Sequence, residues 1–212
     1  MSVKDCGKHK DKKKELLKKI GIGVGIFVLV LLLLALILWL VLRPASKPVF
    51  LLQDATVHTF NLTGYPPNFI TSTFQLTVQC RNPNGRISIY YDSLMVYATY
   101  RTQQITAPTS FPPTYQDTNG INVWSPYVTG VLVPIAPYVG QAISQDQTAG
   151  NILINFQMNG RLRWKVGAFV SATYNLHVNC PAYITVANSN AGAVVGYHAV
   201  KYQLSQTCSV SL

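Results

Sequence analysis

The sequence predicts an all-β domain, an antiparallel sandwich or barrel, carried behind a single N-terminal transmembrane helix. Three observations support this. Ile20 to Leu42 is a run of 23 residues with no charge. From residue 48 onward, Val, Ile, Thr, Tyr and Phe recur between turn residues spaced every 8–15 positions, with no helical period. The stretch TFQLTVQCR, 73–81, places Phe74, Leu76, Val78 and Cys80 on one face and Thr73, Gln75, Thr77, Gln79 and Arg81 on the other. Such alternation marks a strand with one buried face.

The apolar run IGIGVGIFVLVLLLLALILWLVL would be roughly 34 Å long as a helix, enough to cross a hydrocarbon core of about 30 Å with some tilt. A buried core helix would show a polar stripe, and this run has none. A cleaved signal peptide would have a shorter apolar core and a small-residue cleavage site, whereas Trp39 and Arg43-Pro44 follow here. Gly21, Gly23 and Gly25 follow no strand, so they are not read as a nucleotide loop. The Gly21/Gly25 spacing fits helix packing and permits homo-oligomers.

Charge is scarce and unevenly placed. Charged residues make up 11% of the 212, the net charge is +10, and residues 1–19 hold eight of the 17 basic side chains. Only Arg43 and Lys47 lie just after the run. The positive-inside rule therefore expects residues 1–19 as a cytosolic Lys-rich tail, 20–42 as the membrane helix and 43–212 outside. The tail is expected to be drawn to anionic inner-leaflet lipid by about 1 kcal/mol per basic residue. Nucleic acid, the other usual partner of such a tail, is excluded by the adjacent anchor. Cys6 could be acylated or stay a plain thiol. Cys80, Cys180 and Cys208 fall in an oxidising compartment, where one internal disulfide leaves one thiol over. All three sit on apolar strand faces, so parity alone does not choose the pair. Asn61-Leu62-Thr63 is a glycosylation sequon on the same side.

Further strands follow along the domain. Ile152, Ile154, Phe156 and Met158 share a face, with a turn expected near Asn159-Gly160. Leu176, Val178 and Cys180 share another, as do Tyr202, Leu204, Cys208, Val210 and Leu212. Prolines 108, 112, 113, 126, 134 and 137 mark loops or edges, and 144–151 and 187–193 read as exposed loops. In RNPNGRISIYYD, 81–92, Asn82-Pro83-Asn84-Gly85 has turn chemistry. Ile87, Ile89 and Tyr91 then share a face, but the apolar set moves to Leu94, Val96, Ala98 and Tyr100. That parity change predicts a bulge near Tyr91 to Ser93.

Catalytic patterns are absent from the sequence. The exposed part has four carboxylates (Asp54, Asp92, Asp117, Asp146) and three histidines (His58, His177, His198), with no metal-ligand spacing and no nucleophile elbow. No enzyme activity and no cofactor are expected. His177 and His58 read as surface residues. In GRLRWKVG, 160–167, Arg161, Arg163 and Lys165 interleave with Leu162, Trp164 and Val166. The basic face suits acidic wall polysaccharide or anionic headgroups, or is simply a solvated strand face over a core-facing Trp164.

NPNGRISIYYD (82–92), VYATYRTQQIT (96–106), PPTYQ (112–116), GRLRWKVG (160–167), HVNC (177–180) and CSVSL (208–212), in this order behind a basic tail and anchor, resemble the plant harpin-induced and non-race-specific disease-resistance-like proteins. These carry a late-embryogenesis-abundant group 2 domain. The resemblance implies an immunoglobulin- or fibronectin III-like β-sandwich on the outer face of the plasma membrane, in some members at plasmodesmata. It also implies defence or stress responses, a disulfide between Cys180 and Cys208, a free Cys80, and no catalytic residues. Asn82, Pro83, Asn84, Tyr90, Tyr91, Asp92, Trp164, Lys165, Val166 and Gly167 are the motif residues and are expected to be structural. An Asn-Gly-Asp adhesion motif belongs to one branch. Asn119-Gly120-Ile121 lacks the aspartate, so that role is not transferred. The expected function is a membrane-tethered interaction protein contacting wall material or other membrane proteins; the alternative is lipid handling in an apolar groove.

Overall fold

The computed structural model describes residues 6–41, 45–185, 193–194 and 199–212. The chain forms two units, residues 1–44 and 45–212. The side chain of Cys6, residues 187–192 of the expected loop, and His198 lie outside the described residues.

In the first unit, α1 (Cys6–Val41) is 36 residues long. Its Lys18–Leu36 stretch has a mean hydropathy of 2.7 and none of it is buried, so the helix is long and apolar enough to cross a membrane. The helix starts well before residue 20. Lys, Leu and Glu are good helix formers, so the basic segment continues the helix.

The second unit contains fourteen described strands, numbered along the chain. They are β1 (Val49–Thr63), β2 (Phe69–Arg81), β3 (Ser88–Tyr100), β4 (Gln103–Gln104), β5 (Thr109–Phe111), β6 (Thr114–Gln116), β7 (Ile121–Trp124), β8 (Tyr127–Pro134), β9 (Asn151–Val166), β10 (Phe169–Val170), β11 (Tyr174–Thr185), β12 (Ala193–Val194), β13 (Val200–Thr207) and β14 (Ser209–Ser211). The first sheet runs β12-β13-β1-β2-β7, with β8 also on β2. The second runs β14-β11-β9-β3-β4, with β5 and β6 on β3 and β10 on β9. Every described pairing is antiparallel.

The sheets share one core. Strand β2 buries Ile70, Ser72, Phe74, Leu76, Val78 and Cys80 in strict alternation. Phe74 meets Phe156 of β9 edge to face at 5.4 Å, and Phe50 of β1 meets Tyr91 of β3 in the same way at 6.4 Å. Cys180 of β11 is bonded to Cys208, with Cα atoms 4.4 Å apart. Cys208 lies where the chain passes from β13 in the first sheet to β14 in the second, and its N–H donates to Phe50 O. The disulfide therefore joins the sheets at a crossover and is worth about 2–4 kcal/mol. Cys80 is the free, buried cysteine.

Two sequence expectations need correction. Residues 144–151 are not an exposed loop, because helix α2 (Pro137–Ala149) occupies most of them. Pro137 starts the helix, Gly150 ends it at φ 86°, and Val139, Gly140, Ala142 and Ile143 are buried. That is one buried turn followed by a polar half, too short a period to stand out. Tyr100 Oη holds the polar half by donating to Asp146 Oδ2 at 2.5 Å.

Nor is there a turn at Asn159-Gly160; β9 runs unbroken for 16 residues. Ile152, Ile154, Phe156, Met158, Leu162 and Trp164 all face inward, and Gly160 sits in the same phase. Its partner is Leu94, just past the register shift between Tyr91 and Ser93 on β3. A Cβ at Gly160 would strike Ser93 O and Leu94. The glycine is needed for close approach of the bulged strand. Gly160→Ala is expected to destabilise the protein by about 1–3 kcal/mol, read as a lower denaturation midpoint by tryptophan fluorescence. Gly85→Ala, whose Cβ would meet only Asn119 Nδ2 at 3.6 Å, is expected to change it by less than about 0.5 kcal/mol.

Candidate functional site

The link between β2 and β3 is built around Asn82, which is fully buried. Its Nδ2 donates to Ile87 O at 2.7 Å and Asp117 O at 3.0 Å, and its Oδ1 accepts from Asn84 N and Nδ2. Asn84 in turn exchanges two hydrogen bonds with the backbone of Ser46. These bonds satisfy the buried amide and clamp the start of the domain. Pro83 is exposed between the two asparagines.

Tyr91 points into the core. Its Oη donates to Gln116 Oε1 at 2.9 Å and lies 3.1 Å from Cys80 Sγ. Gln116 Nε2 donates to Cys80 O and Gly120 O. Burial pushes the Cys80 thiol up to about 12 and raises Tyr91 as well, so both stay neutral. Gln116, the last residue of PPTYQ, satisfies two buried polar side chains, Tyr91 and Cys80.

Strand alternation puts Tyr90 on the outer face of the second sheet, and the bulge leaves Asp92 on that face beside it. Register brings Tyr90 opposite Arg163 on β9 and Tyr115 on β6, while Lys165 lies opposite Ser88. Tyr90 and Tyr115 have ring centroids 4.9 Å apart. The Lys165 ammonium lies 5.7 Å from the Tyr90 ring and 5.5 Å from that of Tyr115, within cation–π reach of both. Asp92 accepts two hydrogen bonds from Arg163, at 2.7 and 2.6 Å. These bonds hold its carboxyl below the ordinary range. Arg161 is exposed on the same face. Trp164 lies in the core; Val166 is exposed, and Gly167 takes φ 56° in the β9–β10 hairpin.

Further along this face Tyr97 Oη donates to Gln157 Oε1 and accepts from Asn159 Nδ2, both at 2.9 Å. Asn159 Oδ1 meets His177 Nδ1 at 2.9 Å. Gln157, Asn159, His177, Asn179, Ser209 and Ser211, with Val178 and Val210, line a shallow hollow of about 430 Å³. His177, read in the sequence as a surface residue, thus belongs to an amide and hydroxyl network.

A second, largely apolar cavity of about 450 Å³ opens between the sheets, lined by Val57, Phe60, Phe74, Ile152, Ile154, Ile184 and Val200, with Thr59, Gln147 and Tyr202 among its polar residues. Asn61 and His58 stand at its wall. Asn61 is exposed, whereas His58 is half-buried and packs 5.6 Å from Tyr127, so it is not the plain surface residue expected. The sequence signal for this cavity was weak, because its lining comes from strands far apart in the chain.

Each carboxylate of the domain has a structural partner. Asp54 takes Lys201 and Thr77, Asp92 takes Arg163, Asp117 takes Ser88, and Asp146 takes Tyr100. Among the described residues, no group of three or more His, Cys, Asp and Glu could hold a metal ion.

Asp92, with its lowered pKa, contributes stability above the ordinary carboxylate range and loses it as pH falls through the folded-state value. The partly exposed pair is screened, so the effect is small. Asp92→Asn is expected to melt at a lower temperature than the parent chain at pH 7. The gap should close as pH falls below about 4; a constant gap would contradict the assignment.

A family profile described as late embryogenesis abundant protein matches residues 77–180. The chain is 49% identical to NDR1/HIN1-like protein 1 of Arabidopsis thaliana over 210 residues, covering 99% of this chain and 100% of that one. It is 51% identical to NDR1/HIN1-like protein 12 of the same plant, over 83% of this chain and 82% of that one. NDR1/HIN1-like protein 26 is 42% identical over 70% of this chain and 69% of its own length. A solution structure of a late embryogenesis abundant protein covers 79% of this chain and 88% of its own, at 16% identity and a TM-score of 0.29, too loose a likeness to bear on the fold. With a relative matched along almost its whole length, the chain belongs to the NDR1/HIN1-like family of late embryogenesis abundant domain proteins.

Proposed function

We propose that the chain is a non-enzymatic, single-pass plasma-membrane protein that acts in plant defence and stress responses through contacts of its β-domain with wall material or other membrane proteins. Its N-terminus lies in the cytosol and its β-domain, of the immunoglobulin/fibronectin III kind, lies outside. Asn61 carries a glycan, and some of the protein resides at plasmodesmata. The observation that carries this reading is the pairing of an apolar helix, exposed along Lys18–Leu36, with a disulfide-bonded β-unit in the same chain. Disulfides persist in oxidising compartments, and the eight lysines lie on the other side of the helix. The relatives' names supply the defence setting.

The test is protease treatment of right-side-out vesicles, together with proximity labelling from each terminus in intact tissue. An epitope at residue 2 should be protected, and the C-terminal label should tag wall and extracellular proteins. Digestion of that epitope from outside, or identical neighbours at both termini, would overturn the reading.

The apolar cavity supports a second reading, lipid handling. At about 450 Å³ it falls in the size range of small-ligand pockets. The full chain in nanodiscs should take up a fluorescent fatty acid saturably above empty nanodiscs, and Ile154→Trp should block uptake by filling the space. Absence of saturable uptake would sink this reading.

A further inference from the structure

We propose that the outer face of the eight-stranded sheet binds a linear carboxylated polysaccharide, with Tyr115 and Tyr90 stacking on sugar rings and Lys165 and Arg161 pairing with carboxylates. This rests on the wall-contact reading above and assigns it a site and a ligand class.

The face has the chemistry such a chain needs. Tyr115 is exposed and Tyr90 half-buried, and their rings, inclined at 46° to each other, offer an angled aromatic platform with hydroxyl edges. Lys165 is held over both rings, which keeps its charge beside the platform. Arg163 is already neutralised by Asp92, which leaves Arg161 and Lys165 as the cations free to meet an anion. They lie four residues apart on one strand, about 13 Å along the sheet. A polymer that repeats its carboxylates along its length can reach both; a single small acid cannot.

The amide and hydroxyl hollow continues the same surface. Asn159 and His177 stand opposite each other on β9 and β11, and Asn159 is two positions from Arg161. Amides, hydroxyls and an imidazole suit sugar hydroxyls, which need donors and acceptors in alternation. Charge complementarity favours an anionic ligand, because among the described residues this face presents Arg161, Arg163 and Lys165 against the single acid Asp92. A phospholipid surface would use the cations but has no need of the aromatic pair or the amide network.

The test uses the full chain in phosphatidylcholine nanodiscs, with polygalacturonate, its fully methyl-esterified form, and phosphatidylserine vesicles as probes. Polygalacturonate should bind, more weakly as salt rises, and the esterified polymer should not. Tyr115→Ala combined with Lys165→Gln should weaken binding about tenfold, and Arg161→Gln about threefold. Arg81→Gln, an equal charge change on the other sheet, should leave binding unchanged, and the tail is common to all variants. Unaltered melting temperatures would show that the variants are folded. An equal loss with Arg81→Gln, or polymer binding indifferent to Tyr115 and Lys165, would overturn the site while leaving the wall-contact reading intact. Vesicle binding that depends on Lys165, without polymer binding, would overturn the ligand class. Loss of the wall-contact reading itself would instead appear as an absence of wall neighbours in the labelling experiment.

Discussion

Most of the domain's order follows from one backbone irregularity, the extra residue in β3 between Tyr91 and Ser93. Without it, β3 would place either Ile89 and Tyr91 or Leu94 to Tyr100 on the wrong side of the sheet, since a one-residue slip inverts every later side chain. With it, both halves are buried. The same step leaves Asp92 on the outside, where it fixes Arg163 beside Tyr90. It also drives the β3 backbone against β9 at a point only glycine can occupy. Core register, outer electrostatics and a glycine 68 positions further along (Gly160 against residue 92) therefore form one geometric unit.

Alternation made much of this legible in the sequence. The buried face of β2, the parity change in β3 and the inward set of β9 follow from a period of two that survives into the fold. What escaped depends on contacts between distant segments. Gly160 looks like a turn residue until Leu94 is placed against it. Helix α2 buries only one turn, and its polar half is held by Tyr100, 46 residues earlier. Gln116 has no local pattern at all, because its partners Cys80 and Tyr91 lie on other strands.

The site was legible only in part. The basic strand 161–165 could be read as a possible polyanion surface, but its aromatic platform could not, since Tyr90 and Tyr115 meet only through strand pairing. Likewise His177 carried no signal beyond its exposure, and its network with Asn159 and Tyr97 spans three strands. Cross-strand neighbours build the surface of a sheet, and they are remote in sequence by construction. The two concavities mix residue types differently: Val, Ile and Phe side chains stand with His58, Thr59, Asn61 and Gln147 in the one between the sheets, and six polar residues stand with Val178 and Val210 in the one outside.

The pairing of β1 with β13 has a consequence for how the chain is made. Leu51 lies against Thr207, and Cys208 donates to Phe50. A ribosome delivers residue 51 many seconds before residue 207, at about 5–20 residues per second. Throughout that interval β1 has only β2 beside it, and its other edge stays open to any passing strand. The first sheet closes, and the disulfide can form, only once residues 200–208 have emerged. The domain is thus a late folder during synthesis: a message truncated before codon 208 yields a protein without its covalent bridge, and one truncated before codon 200 yields a protein that also lacks the strand covering β1.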